Sequence, residues 1–283
     1  MHPKKLSSKS MDMTTGSTWK LLLSFAVPLL IGNLFQQLYN TTDSFIVGNF
    51  VGSGALAAIG ASAQIINLFI GFIIGLTTGA GIIIAQYYGA GDGTRLHSAV
   101  HTSFWFCILG GILVSIAGCL LSPLILTAMN TPSEVIPDAA LYLRVYFLGA
   151  LFNILYNMGA GTLQATGDTK HPLYYLCLSS VVNVVLDLLF VAGFGMGVDG
   201  AALATVISQA TSATLGFWRL CHTTGPYRIW FRKVRFHGRT LRQLLTLGIP
   251  SGVQNSIIAI ANVVVQSSIN LYGPMAMAGC GAY

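Results

Sequence analysis

The residues of this chain best placed to do chemistry are two acids, Asp43 and Asp187, each set in a long apolar run. Asp187 stands in the stretch NVVLDLLFV, and Asp43 closes the series Asn33, Gln36, Asn40, Asp43, spaced three or four apart. That spacing puts all four side chains on one face of a helix. Tyr39 precedes Asp43 by four and can lie beside it, and Asn183 stands in the same relation to Asp187. A second polar stripe runs through Asn153, Asn157 and Gln164, and a third through Thr205, Gln209 and Ser212. A bare carboxylate in a low-dielectric surrounding is costly, so such acids hold a cation or take up a proton. Helices with one polar stripe each can converge on a common cavity, with Asp43 and Asp187 as its only acids. The further amides Asn33, Gln36, Asn40, Gln164 and Gln209 are candidates to line that cavity against a substrate. The plainer alternatives are an interfacial position at a helix end for Asp43 and helix-to-helix hydrogen bonding for the amides and hydroxyls.

Other motifs predict no chemistry. Gly195, Gly197 and Gly200 match GxGxxG, but the run joins two apolar segments and follows no strand, so it predicts no dinucleotide site. His97 and His101 stand four apart near Asp92, with too few companion ligands for a metal site. Gly71, Gly75 and Gly79 have small-xxx-small spacing, which predicts close helix packing. The five cysteines are odd in number and lack CxxC spacing, so neither a disulfide framework nor a zinc site is indicated. No Ser/His/Asp arrangement and no phosphate loop is apparent, so the chain reads as a non-enzyme without an organic cofactor.

The elements that must position these residues follow from composition. The chain has 283 residues, 54% of them hydrophobic and only 8% charged, with a mean hydropathy of +0.70. A soluble domain carries about 25% charged residues. So few charges exclude a soluble globular fold, and so much apolar character excludes disorder. The remaining class is an all-α, polytopic membrane protein. A span needs about 20 mostly apolar residues. Candidate spans cover residues 19–44, 55–87, 96–121, 139–164, 173–193, 198–222 and 241–272, and residues 276–283 look like the opening of an eighth helix. The first apolar run is too long for a signal-peptide core, and no small-residue cleavage site follows it.

The net charge of +6 is explained by loop polarity rather than by nucleic acid. With the N-terminus in the cytoplasm, that face holds Lys4, Lys5, Lys9, Lys20, Arg95, Lys170 and every basic residue between Arg219 and Arg242. The opposite face is left with Arg144 alone. Four regions result: a basic tail over residues 1–17, a six-helix lobe over 18–222, a basic cytoplasmic loop over 223–240, and the start of a second lobe over 241–283. Membrane lipids are expected partners, with anionic headgroups facing the basic loop.

The second lobe is inferred from an internal repeat. LLSFAVPLLIGNLFQQLYN from Leu22 aligns without gaps to LLTLGIPSGVQNSIIAIAN from Leu244, matching Pro28 to Pro250, Asn33 to Asn255 and Asn40 to Asn262. With one residue deleted, Asn49 then meets Asn270 and Gly52 meets Gly273. Both copies start on the same side, so the repeat is parallel. A six-helix lobe plus the first helix of a second predicts a missing C-terminal lobe. Pro28 also removes a hydrogen bond inside the first span, so a kink is expected there.

The stretches LQATGDTKHPLYY from Leu163, NVVLDLLFV from Asn183, GMGVDGAALATVISQ from Gly195 and PLLIGNLFQQLYNTTDSFIVG from Pro28 resemble the MATE (multidrug and toxic compound extrusion) family in its bacterial multidrug branch. The resemblance implies two six-helix lobes in a V-shaped transporter of the plasma membrane. It implies export of small organic cations or drugs by alternating access, driven by H+ or Na+. Carried over by motif, it implies an ion site at Tyr39, Asp43, Asn157, Asn183, Asp187 and Thr205, with Na+ a possible occupant at Asp43 and Asp187. It also implies that the first helix bends at Pro28 when Asp43 is protonated. The alternatives are a flippase of related fold for lipid-linked precursors and a truncated membrane protein that transports nothing. Scarce Arg and Lys within the spans disfavour the first, and the repeat with its converging acids disfavours the second.

Overall fold

A computed structural model describes residues 17–230 and 237–282. The expected basic tail, apart from Ser17, and Arg232, Lys233 and Arg235 of the basic loop lie outside the described residues. Eight α-helices follow in order: α1 (Thr18–Phe50), α2 (Ser53–Gly89), α3 (Gly93–Ala128), α4 (Ile136–Ala165), α5 (Lys170–Asp187), α6 (Val198–His222), α7 (Gly238–Asn270) and α8 (Pro274–Ala282). Helix α5 runs on into a π-helical stretch, Leu188–Gly193. Helices α1 to α4 overrun their apolar segments at both ends, because the backbone must stay hydrogen-bonded until it has left the hydrocarbon, whereas α6 keeps the expected limits and α7 starts earlier and ends two residues sooner. Helix α7 therefore begins at Gly238, inside the stretch the sequence reads as loop.

Helices α1 to α4, α5 with its extension, and α7 are each long and apolar enough to cross a bilayer. Helix α6 has the length but not the hydropathy, since Thr205, Ser208, Gln209, Thr211 and Ser212 dilute it. Successive helices run antiparallel. The end of the bundle nearest Ser17 is called proximal, and the end carrying the α1–α2, α3–α4 and α5–α6 turns distal. The proximal start of α3 is capped by Asp92, which accepts the Arg95 N–H at 3.0 Å.

The most extensive helix contacts are α2 with α7, α3 with α4, and α4 with α6 and α2. Two apolar cores stack along the bundle. The distal core joins Val47, Ile65, Leu126, Leu143, Phe147 and Val198, with Phe147 edge-on to Phe69 at 5.1 Å. The proximal core joins Ile84, Leu96, Phe104, Leu163 and Leu220. Helix α1 stands at the edge, packed chiefly on α5, with Leu30, Leu34 and Leu38 exposed. It runs unbroken through Pro28, and α7 does the same through Pro250.

The glycine spacing in α2 does what it predicts. A Cβ on Gly75 would fall 2.2 Å from the Cα of Gly252, and one on Gly79 would fall 2.5 Å from the backbone N of Gly248. At the distal end α7 is tied down by polar groups. Asn270 donates its side-chain amide to the Met129 carbonyl at 2.9 Å and to Thr131 Oγ1 at 3.3 Å, and it accepts from Gln266 Nε2 at 3.0 Å. The neighbouring Asn130 sits at φ 53°, a left-handed turn that Asn tolerates, and this turn follows Met129 directly.

Candidate functional site

Helix α1 buries Gly32 against Leu173 and Leu176 of α5 and, near its distal end, Asp43, Ile46 and Val47. Helix α5 supplies Asn183 and Asp187, one turn apart on one face and both 0% exposed. The two acids are close enough that the charge of Asp43 bears on Asp187. An interfacial position for Asp43 is therefore replaced by a buried one, 7% exposed. Thr205, buried near the start of α6, accepts a hydrogen bond from the Tyr39 hydroxyl at 3.3 Å. Tyr39 is thus held within electrostatic reach of both acids. Of the six residues expected at the ion site, Tyr39, Asp43, Asn183, Asp187 and Thr205 lie on α1, α5 and α6 against the distal core, and Asn157 lies on α4.

Helix α4 adds two residues the stripe reading passed over. Tyr142 lies within electrostatic reach of Asp43, Asp187 and Tyr39. Tyr146, stacked one turn on from it with ring centroids 6.4 Å apart, accepts a hydrogen bond from Gln209 Nε2 at 3.2 Å. Both continue the face of Asn153 and Asn157 backward at helical spacing, which is the signal that could have found them. Tyrosine near a span end reads equally as an interfacial belt residue, so its type alone does not assign it to a site. Gln209, expected at the substrate cavity, therefore sits on the tyrosine pair.

The rest of the candidate cavity is not drawn into the lobe. Asn33, Gln36 and Asn40 are exposed on α1, and Asn40 meets only Gln37, at 3.5 Å. Asn157 donates to the carbonyl and Oδ1 of Asn153, at 2.9 and 3.0 Å, so its recorded partners lie on its own helix. Gln164 is half-buried at the proximal end of α4.

The chemistry of the pocket shows in its orphaned atoms. Oδ1 of Asp43, both carboxyl oxygens of Asp187, both side-chain polar atoms of Asn183 and Oε1 of Gln209 are buried with no hydrogen-bond partner among the described residues. Each such group costs about 1–3 kcal/mol, so a cluster of them marks a place where a proton, a cation or water supplies the partner. The oxygens are hard donors, suited to a small hard cation. Two adjacent carboxyls can equally share a proton. The residues present fit either occupant.

Residues 28–189 match the family model MatE. The probable multidrug resistance protein YpnP of Bacillus subtilis (strain 168) is 34% identical over 277 residues, covering 97% of this chain and 61% of that protein. The probable multidrug resistance protein YoeA of the same strain is 33% identical over 274 residues, covering 94% and 59%. The outward-facing conformation of a multidrug resistance MATE family transporter of the MOP superfamily superposes with a TM-score of 0.83 at 27% identity, covering 91% of this chain and 57% of that one. The chain thus spans about three fifths of the length of the relatives it matches.

Proposed function

The chain belongs to the MatE family, and on that premise we propose that it forms the first lobe and the opening of the second of a cation-coupled multidrug efflux transporter. The observation that carries this reading is the buried Asp43–Asp187 pair with its orphaned oxygens. A proton or Na+ entering from the distal side relieves the repulsion between the two carboxylates. Occupancy then favours one global state over the other, which is what coupling requires. Tyr39 and Thr205 orient Asp43 across α1 and α6, and Asn183 supplies a neutral oxygen beside Asp187.

The exposed amides Asn33, Gln36 and Asn40 on α1 face away from the lobe core. In this reading they form one wall of the drug pathway, whose other wall comes from a second lobe. Small organic cations are the substrate class, because the pathway leads to acids and the spans hold almost no fixed positive charge. The chain sits in the plasma membrane with its proximal end, where the basic residues gather, in the cytoplasm. Pro28 supplies a weak point in α1, where the backbone carbonyl one turn earlier has no N–H to bond. Bending there would move Asp43 against α5.

The test is drug efflux from cells expressing this chain extended to the length of its relatives. Asp43→Asn and Asp187→Asn are each expected to abolish efflux at unchanged membrane expression. Undiminished efflux in either variant overturns the coupling role.

A further inference from the structure

Beyond the end of α6 the described residues up to Trp230 fold back onto the bundle, and a buried histidine holds them. His101 of α3 is 1% exposed. Its Nε2 lies 3.0 Å from the backbone N–H of Trp230, and its Nδ1 lies 2.8 Å from the His97 carbonyl. The Trp230 N–H can only donate, so Nε2 accepts and Nδ1 carries the ring proton toward His97. Beside it, the N–H of Ile229 donates to the Leu220 carbonyl of α6 at 3.1 Å, and the Ile229 side chain is buried in the proximal core. Tyr227 packs edge-on to Tyr88 of α2 at 6.1 Å. Farther along, the His237 N–H reaches Thr102 Oγ1 at 3.4 Å. Residues 227–230 are therefore a strap pinned to α2, α3 and α6.

What the strap turns outward is specific. The Trp230 indole remains 44% exposed, with the Arg228 guanidinium stacked over it 4.1 Å from the ring centroid. Arg228 is half-buried, and its Nε is enclosed with no hydrogen-bond partner among the described residues, so its terminal nitrogens are the donors it can present. Helix α6 ends at His222 and α7 starts at Gly238, so the strap lies at the level where the spans leave the bilayer. Residues 219–242 contain no acid to neutralise it. An indole at that level prefers the headgroup region, and a guanidinium stacked on it by its face can turn its two terminal nitrogens to a phosphate for a planar, two-point contact.

We propose that Arg228 and Trp230 form a binding site for one anionic phospholipid headgroup on the proximal face, pre-shaped by the His101–Trp230 hydrogen bond. Efflux plays no part in the argument. The consequence is mechanical: a lipid held here fixes the segment that joins the six-helix lobe to α7. Diffuse attraction between a basic surface and anionic lipid would depend on charge count alone. A built site depends on the position of Trp230 as well.

The experiment is native mass spectrometry of the full chain in neutral detergent, titrated with phosphatidylglycerol and separately with phosphatidylcholine. Tight binding of one phosphatidylglycerol over phosphatidylcholine is expected. Arg228→Gln is expected to weaken it about five-fold, the loss typical of one basic residue near an anionic surface. Trp230→Ala and His101→Phe, which leave every Arg and Lys in place, are expected to weaken it as well. Arg95→Gln removes a charge from the same end of the bundle, where Arg95 is exposed, and is expected to leave binding unchanged. Equal losses from Arg95→Gln and Arg228→Gln, or unchanged binding in Trp230→Ala, would overturn the proposal in favour of a diffuse field. Trp230→Ala alters an exposed side chain, so the test stands even where His101→Phe fails to fold. Because no transport is measured, the result is independent of the coupling role given to Asp43 and Asp187.

Discussion

Gly75 of α2 and Gly252 of α7 meet backbone to backbone, so closely that a Cβ on Gly75 would overlap the Gly252 Cα at 2.2 Å. No rotamer change relieves such an overlap, because both partners are main chain. Gly75→Ala is therefore expected to push α7 off α2 and to cost about 1–3 kcal/mol, as overpacking does. Gly161→Ala, where nothing lies within 4 Å of the added carbon, serves as the control and is expected to leave stability unchanged or raised. Thermal unfolding in detergent reads both.

The acid pair predicts a cation effect that needs no transport. A ligand that binds only the folded chain raises its stability by RT ln(1 + [L]/Kd). If the coupling ion is Na+, the melting temperature is expected to rise with NaCl against matched choline chloride. Asp43→Asn and Asp187→Asn are each expected to remove that rise. A flat response in the unaltered chain selects the proton as the coupling ion.

The two tyrosines of α4 separate by variant. Tyr146→Phe removes the acceptor of Gln209 Nε2 and leaves Gln209, whose Oε1 is already unpaired, with no partner. It is expected to lower stability by about 1–2 kcal/mol. Tyr142→Phe removes a hydroxyl facing the acids and is expected to weaken coupling in the extended chain with little change in melting temperature. Equal effects of the two variants on both readouts would refute the separation.

Asn270 and its repeat partner Asn49 give a third contrast. Asn270 is buried and bonds to Met129 and Thr131, whereas Asn49 is exposed and bonds only to Phe45 on its own helix, at 2.8 Å. Asn270→Ala is expected to cost about 1 kcal/mol, within the range of interhelical hydrogen bonds in membranes. Hydrogen exchange should then speed up across residues 129–131. Asn49→Ala is expected to change neither.

Much of this was legible from local pattern. Asp43, Tyr39, Asn183 and Asp187 announced themselves because a polar group in an apolar run has few tolerable places to be. The span limits followed from apolar length, and the first four fell short because those helices continue beyond the hydrocarbon. The glycine spacing of α2 named its packing face without naming α7 as the partner. The spacing of His97 and His101 speaks only against a metal site, since nothing in it shows the backbone N–H of a residue 129 positions away.

By itself the sequence determined the class, the helices, their alternating direction and the acids at the centre, because composition and period act within each segment. Only the tertiary structure decided which face of each helix turns inward. Asn33, Gln36, Asn40 and Asp43 share one stripe, yet Asp43 alone of the four is buried, while Tyr142 and Tyr146 join it from a helix whose amides suggested another part. The reason lies in the bilayer as solvent. Lipid and a neighbouring helix are equally apolar, so hydrophobicity does not choose between them. Close backbone contact at Gly75 and Gly252, and hydrogen bonds such as Tyr39 to Thr205, make that choice, and both exist only once the helices have met.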